Sequence, residues 1–343
     1  MRKHLNTLFV TTQGAYLAKE GESVIVKADN EIRLRVPIHT IAGIVCFGQV
    51  SCSPFLMGFC GERNVTISFL SEHGRFLARV EGPTTGNVLL RQEQYRRSDD
   101  KRTSAGLAAA IVSGKLLNAR TVLRRAARDH ADKLDVHRLE QAVRRLGRQL
   151  RSLADVNEVE GIRGIEGDSS RSYFNAFDDL ITSQKDAFFF RGRSRRPPMD
   201  NVNCLLSFVY TLTLHDIRSA IETVGLDPQV GFLHRPRPGR PSLALDMMEE
   251  FRPCLADRLV LSLVNLKQIR KRDLRHTETG GVTLTDEGRK TVLIAYQKRK
   301  QDEVLHPFLR EKMAIGLLFH TQALLLARHL RGDLDGYPPF LWK

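Results

Sequence analysis

Up to about residue 80 the apolar positions fall in short β-branched or alternating runs separated by turn residues. Segments 5–11, 16–19, 23–27, 32–37 and 41–47 read as strands, with Gly14, Gly21, Asp29-Asn30 and Gly48 between them. Ser53 and Pro54 form a cap and first-turn pair that opens a short helix through Cys60. Two more strands follow at 65–70 and 76–80. After the turn-rich stretch Gly82-Pro83-Thr84-Thr85-Gly86 the pattern becomes helical. Residues 103–129 are rich in Ala and Leu and free of proline. Asp135 caps a further helix in which Val136, Leu139, Val143, Leu146, Leu150 and Leu153 recur at helical spacing. That stripe is too short for a coiled coil and predicts packing within its own domain. The expected architecture is α+β: a β-rich domain at 1–85, serving folding or dimerisation, then a larger, mainly helical domain at 86–343. No repeat of solenoid length is present.

Composition adds a core and a partner class. Hydrophobic residues make up 42% and charged residues 27% of 343, which excludes a mainly disordered chain. No apolar run reaches the length of a membrane span, and Met1-Arg2-Lys3-His4-Leu5-Asn6 lacks the apolar region of a secretory signal. Five cysteines without a C-x-x-C pair argue against a disulfide framework or a cysteine zinc site, so the chain is expected in the reducing cytoplasm. Lys and Arg number 53 against 39 Asp and Glu, a net +14 that favours a polyanionic partner. Residues 101–151 alone hold 13 basic and 4 acidic residues, among them Arg120, Arg124, Arg125 and Arg128. A second cluster is Arg191, Arg193, Arg195 and Arg196, and a third surrounds Arg235, Arg237 and Arg240. Arginine forks suit phosphate oxygens, and with one Trp and six Tyr a base-stacking platform is disfavoured, so contact with the backbone of duplex DNA is expected.

One segment opposes this trend. Residues 155–180 contain seven acids against Arg163 and Arg171. Such an island repels phosphate unless a cation neutralises it, and a divalent metal would do so. Within it, glycines flank Glu166, and Asp168 or Ser169 is expected to cap a helix through Tyr173, Phe177 and Leu180, leaving Glu166 at its entrance. Taken alone, Glu166 reads more readily as an exposed acid complementing the helix dipole. Further on, His234 precedes a loop with three prolines, and Ser242 is expected to cap a helix of about ten residues. There Asp246 shares a face with Glu249 and with Glu250. Imidazole with carboxylates makes a ligand set for manganese or magnesium. Spacing alone leaves a metal site and a solvated acidic face both open.

The run Pro197-Pro198-Met199-Asp200-Asn201-Val202-Asn203-Cys204-Leu205-Leu206-Ser207-Phe208-Val209-Tyr210 resembles a signature helix of the CRISPR-associated spacer-acquisition integrases, the catalytic subunit of the adaptation complex. Gly225-Leu226-Asp227-Pro228, Gly231-Phe232-Leu233-His234 and the stretch from Ser242 to Pro253 continue that signature in order. Gly164-Ile165-Glu166-Gly167 is similar to its G-x-E-G element, and Lys115-Leu116-Leu117-Asn118-Ala119 to its K-x-x-N-Q stretch, with Ala119 where Gln is usual. The texture is similar to the type I-C branch. The resemblance implies a β-domain followed by a helical catalytic domain, a homodimer, a small ferredoxin-like partner subunit and a prokaryotic cytoplasmic setting. It implies a Mg2+ or Mn2+ ion held by Glu166, His234 and Glu249, with Asp246 supporting them. It also implies insertion of short DNA duplexes into a CRISPR array for antiviral defence, by attack of a 3′-hydroxyl on a phosphodiester.

Rival readings from the residues are a metal-dependent repair nuclease acting on branched DNA and a non-catalytic basic scaffold. A tyrosine recombinase built on Tyr173 is disfavoured, because no Arg-His-Arg pocket is evident around it.

Overall fold

The computed structural model describes residues 6–342 apart from 64, 73, 75, 81, 83–87, 133 and 279. The chain divides into two compact units, Met1–Gly86 with Leu293–Asp302, and Asn87–Val292 with Glu303–Lys343. The architecture is α+β, with strands at the N-terminus and helices dominating the remainder.

The first unit contains two four-stranded sheets. One is built from β1 (Asn6–Val10), β5 (Ile41–Phe47), β7 (Thr66–Leu70) and β8 (Phe76–Val80), in that order. The other runs β4 (Glu31–Pro37), β3 (Ser23–Ala28), β2 (Tyr16–Glu20) and β6 (Ser51–Cys52). Between β6 and β7 lies α1 (Pro54–Glu62), capped as its sequence predicts: the Leu56 N–H donates to Ser53 Oγ at 3.1 Å. Leu17, Val24 and Val26 from one sheet, Ile44 and Ile67 from the other, and Leu56 and Phe59 from α1 share one core. The two-residue β6 escapes sequence reading because it is too short to show a period.

The second unit is helical. It contains α2 (Val88–Asp99), α3 (Lys101–Asp129), α4 (Val136–Ser152), α5 (Val159–Asn175), α6 (Asn201–Val224), α7 (Ser242–Phe251) and α8 (Arg258–Asn265). Two short hairpins, β9 (Leu274–His276) with β10 (Val282–Leu284) and β11 (Glu303–Leu305) with β12 (Lys312–Ala314), flank α9 (Asp286–Gln301), and α10 (Ile315–Arg331) follows. Caps mark several starts. Asp100 accepts from Thr103 N at 2.7 Å, Asp135 from Arg138 N at 3.0 Å, and Asp200 from Asn203 N at 2.7 Å. The apolar stripe of α4 buries Leu139, Val143 and Leu146, so it packs at home as expected. The division differs from the sequence expectation at 293–302. That segment belongs with the β-rich unit, where Gln297 Nε2 donates to the Thr7 carbonyl at 3.0 Å.

Candidate active site

The site is assembled in the helical unit from α3, α5, the loop before α7, and α7. Glu166 comes from α5. The expected helix entrance at Asp168 or Ser169 is corrected here: α5 already starts at Val159 and carries Glu166 near its middle. Asp168 pairs with Arg171, and buried Ser169 directs its hydroxyl to Gln149 Oε1 at 3.1 Å, so neither caps. The three glycines of α5 remain helical because its buried face, Ile162, Ser169 and Tyr173, is held by tertiary packing that outweighs their poor propensity.

The acids of α7 diverge. Ser242 is the first helical residue rather than the cap, and its hydroxyl donates to the Arg235 carbonyl at 3.3 Å. Asp246 is wholly buried beneath the 231–234 loop. Its carboxylate accepts from the N–H groups of Phe232 (2.6 Å), Leu233 (2.9 Å) and His234 (2.9 Å), and from His234 Nδ1 (2.6 Å). A carboxylate in that position accepts, so Nδ1 carries a proton and Asp246 fixes the orientation of the ring. Gly231 permits this closeness: a Cβ there would lie 2.5 Å from Asp246 Oδ2 and 2.7 Å from the Ser242 carbonyl carbon.

Glu249, one turn on, is 2% exposed and surrounded by cations. Arg252 Nη1 lies 3.1 Å from its Oε1 and Lys115 Nζ 2.7 Å from its Oε2. Burial pushes its carboxyl up, but Arg252, Lys115 and His234 outweigh burial and bring it down to about 2. The Lys115 ammonium, reaching in from α3, also pairs with Glu166 and donates to Ser170 Oγ at 2.9 Å, while Ser170 donates to Glu166 Oε1 at 2.9 Å. Glu250, one turn beyond Asp246 on the same helix, turns to other partners. It accepts from the Tyr337 hydroxyl at 2.6 Å, the Phe340 N–H at 2.7 Å and Gln322 Nε2 at 2.9 Å. Asp246 and Glu250 stand one turn apart on α7, yet each carboxylate is held by its own separate set of donors.

Behind Glu249 the helix widens into a π turn at Arg252–Asp257. Pro253 has no N–H to give an α-helical ladder, and the wider turn continues the chain into α8. The turn sets the Arg252 guanidinium over the Tyr210 ring, 5.1 Å from its centroid, and buries Asp257, which accepts from the Tyr210 hydroxyl at 2.6 Å. Burial raises the Asp257 carboxyl to about 6, against the opposing pull of the Tyr210 and Tyr173 hydroxyls, Arg252 and Arg193.

Glu166 and His234 line an open cleft whose remaining wall is Leu233, Glu160 and the arginines Arg163, Arg235, Arg237 and Arg240. Among the described residues no three His, Cys, Asp or Glu side chains converge to hold a metal ion, since Lys115 stands where Glu166 and Glu249 meet. The donor set still fits a divalent cation. Glu249 Oε2 is buried and, although close to the ammonium, completes no aligned hydrogen bond. His234 offers Nε2 from a ring whose other nitrogen is already held by a carboxylate.

This arrangement has relatives. The family model described as CRISPR associated protein Cas1 matches residues 8–298. The chain is 58% identical over the full length of both proteins to a CRISPR-associated endonuclease Cas1 of Chlorobaculum tepidum. It is 51% identical, again over both full lengths, to one of Rhodospirillum rubrum. The chain belongs to the Cas1 family. Its fold is that of the Cas1 structure from Thermotoga maritima, with a TM-score of 0.81 and 24% identity over 95% of this chain and 97% of that one.

The arginines expected to meet DNA in this Cas1 family member divide into two groups. Arg124, Arg128, Arg191, Arg195, Arg196 and Arg235 are exposed. Arg235 already pairs with Glu160 at 2.8 Å and Arg128 with Asp129 at 2.7 Å. Arg193 is a correction. Its guanidinium clamps the start of α6, donating to Asn203 Oδ1 at 2.5 Å and Ser207 Oγ at 3.2 Å, because the polar side of that helix needs partners where the loop covers it. Arg120 is half-buried against Gly147, and Arg125 stacks 4.1 Å over the Trp342 ring. Sequence reading missed Arg252, and it knew Lys115 only through a motif. The available signal was Lys115 itself, a single charge on the α3 face that buries Ile111, Val112, Leu116 and Ala119.

Proposed function

We propose that the chain is a metal-dependent DNA endonuclease and integrase that joins short DNA duplexes to a CRISPR array, a 3′-hydroxyl attacking a phosphodiester. The observation that carries this reading is the placement of Glu166 and His234 on the floor of an arginine-walled cleft, with Glu249 tied to Glu166 through Lys115. Mg2+ or Mn2+ held by Glu166, His234 and Glu249 would supply Lewis-acid chemistry at the scissile phosphate. The chain's own groups do the rest. Asp246 fixes the His234 tautomer and ring orientation. Arg252 keeps Glu249 ionised within its buried surroundings. The arginines of the cleft hold phosphate oxygens and orient the strand for in-line attack.

No protein nucleophile is required. Tyr173 is 4% exposed, with its hydroxyl enclosed beside Asp257, which suits packing rather than attack on DNA. The partners in this reading are duplex DNA, a second copy of the chain and a small ferredoxin-like adaptation subunit, all in a prokaryotic cytoplasm. The exposed arginines serve as backbone contacts.

The test incubates the purified chain and the small subunit with a short duplex and a supercoiled plasmid bearing the array, in Mn2+ or in chelator. Joined products that need Mn2+ are expected. Cleavage of branched DNA without joining would favour the repair-nuclease reading, and metal-independent binding without turnover would favour the scaffold.

A further inference from the structure

Lys115 occupies the point where two of the proposed metal ligands meet. Its side chain is 10% exposed, and its ammonium contacts Glu166, Glu249 and Ser170. With Arg252 on the other oxygen of Glu249, two carboxylates face two cations, and the group is formally neutral before any metal arrives. Adding a divalent ion to a neutral, partly buried group leaves its two charges unbalanced, at a cost that grows as the local dielectric falls. The same two carboxylates without Lys115 would repel each other and would welcome the ion.

We propose that Lys115 is a resident counter-ion that holds Glu166 and Glu249 together until a divalent metal takes them, and that metal binding requires its ammonium to leave both carboxylates. The inference rests on the metal-site reading above and adds a competitor for that site. The fold gives the side chain somewhere to go: Lys115, Ser170, Tyr173, Tyr210, Arg252 and Asp257 line a small cavity that neither Glu166 nor Glu249 enters. Ser170, which already accepts from the ammonium, lines this cavity, and so does the Asp257 carboxyl, a second acceptor. The device sets metal affinity below what the three ligands alone would give, and it keeps the acids in register when no metal is bound.

The experiment measures Mn2+ affinity of the full chain by electron paramagnetic resonance of the free ion, without DNA, for the unmutated protein, Lys115→Met, Lys115→Arg and His234→Ala. Thermal midpoints are recorded in chelator and in saturating Mn2+. Lys115→Met should bind Mn2+ at least about tenfold more tightly, since a competing charge at contact distance has been removed. Its midpoint should fall in chelator and recover with Mn2+. Lys115→Arg retains a fixed charge with more donors, and should bind more weakly than the unmutated chain. Affinity of Lys115→Met equal to or below that of the unmutated chain overturns the proposal. Should Lys115→Met fail to fold, Lys115→Arg decides alone, and an affinity equal to that of the unmutated chain overturns it. If His234→Ala binds Mn2+ as the unmutated chain does, the metal-site reading itself falls and takes the counter-ion with it. Loss of binding in His234→Ala beside unchanged Lys115→Met sinks only the counter-ion.

Discussion

Glu249 and Glu250 are neighbours on one helix, and their carboxyls are shifted in opposite directions. Cations bring Glu249 down to about 2, while burial among neutral donors raises Glu250 to about 7. What differs is the company each side chain keeps, which no local pattern in the sequence encodes. Asp257 follows Glu250 in direction, raised to about 6 from 3.8. The native state therefore keeps a proton that the unfolded chain releases first. This contribution to stability is full below pH 3.8, declines as pH rises through about 6, and then stays level. Asp257→Asn cannot titrate and can still accept from Tyr210. It should flatten the fall in stability across that window by on the order of 3 kcal/mol, measured by urea unfolding at closely spaced pH values. An unchanged slope would remove Asp257 as its source. Gly231 gives a second prediction at this scale. With no room for a Cβ between Asp246 and α7, Gly231→Ala should cost about 1–3 kcal/mol of stability and slow strand joining by displacing His234. Wild-type stability and rate would show that the loop yields freely.

At the scale of elements, legibility followed local cause. The strands 41–47 and 76–80, the Ser53 and Asp135 caps and the stripe of α4 all have their determinants within a few residues of themselves. The two caps and the stripe place apolar faces that any tertiary arrangement must bury. The start of α5 was misplaced because three glycines suggest a loop, and only packing that is distant in sequence makes them helical. The π turn at Arg252–Asp257 was invisible for the same reason, since Pro253 ordinarily ends a helix. Candidate ligands were legible through motif order, whereas the cation joining two of them lies some fifty residues upstream in sequence. The arginine clusters carry a prediction that separates their members. Reversing the charges of Arg124, Arg195 and Arg196 should weaken binding of unrelated duplexes about equally and flatten its salt dependence. Arg193→Ala should instead cost roughly 2–3 kcal/mol of stability, because it leaves Asn203 and Ser207 without their charged donor, and should barely change the salt slope. Loss of affinity for one sequence only would mean that the exposed arginines read bases.

For the whole molecule, each sheet of the β-rich unit ends in a strand with exposed apolar side chains, Ile32 and Leu34 on β4 and Phe76 and Leu77 on β8. Edges of this kind invite pairing with another chain, and the proposed homodimer would use this unit to cover them. Light scattering at micromolar concentration should give a dimer, and Ile32→Glu with Leu34→Glu should shift it toward monomer; a monomeric unmutated chain would refute the dimer. The central claim is that Glu166, His234 and Glu249 share one divalent ion that drives phosphoryl transfer. It is tested most directly by pairing strand-joining rates under Mn2+ titration with duplex affinity in chelator, for Glu166→Ala, His234→Ala and Glu249→Ala. The account predicts that joining is abolished in all three while each still binds duplex, the two acid variants at least as tightly as the unmutated chain, because a charge that repels phosphate has gone. Full joining activity in any one of them would contradict it.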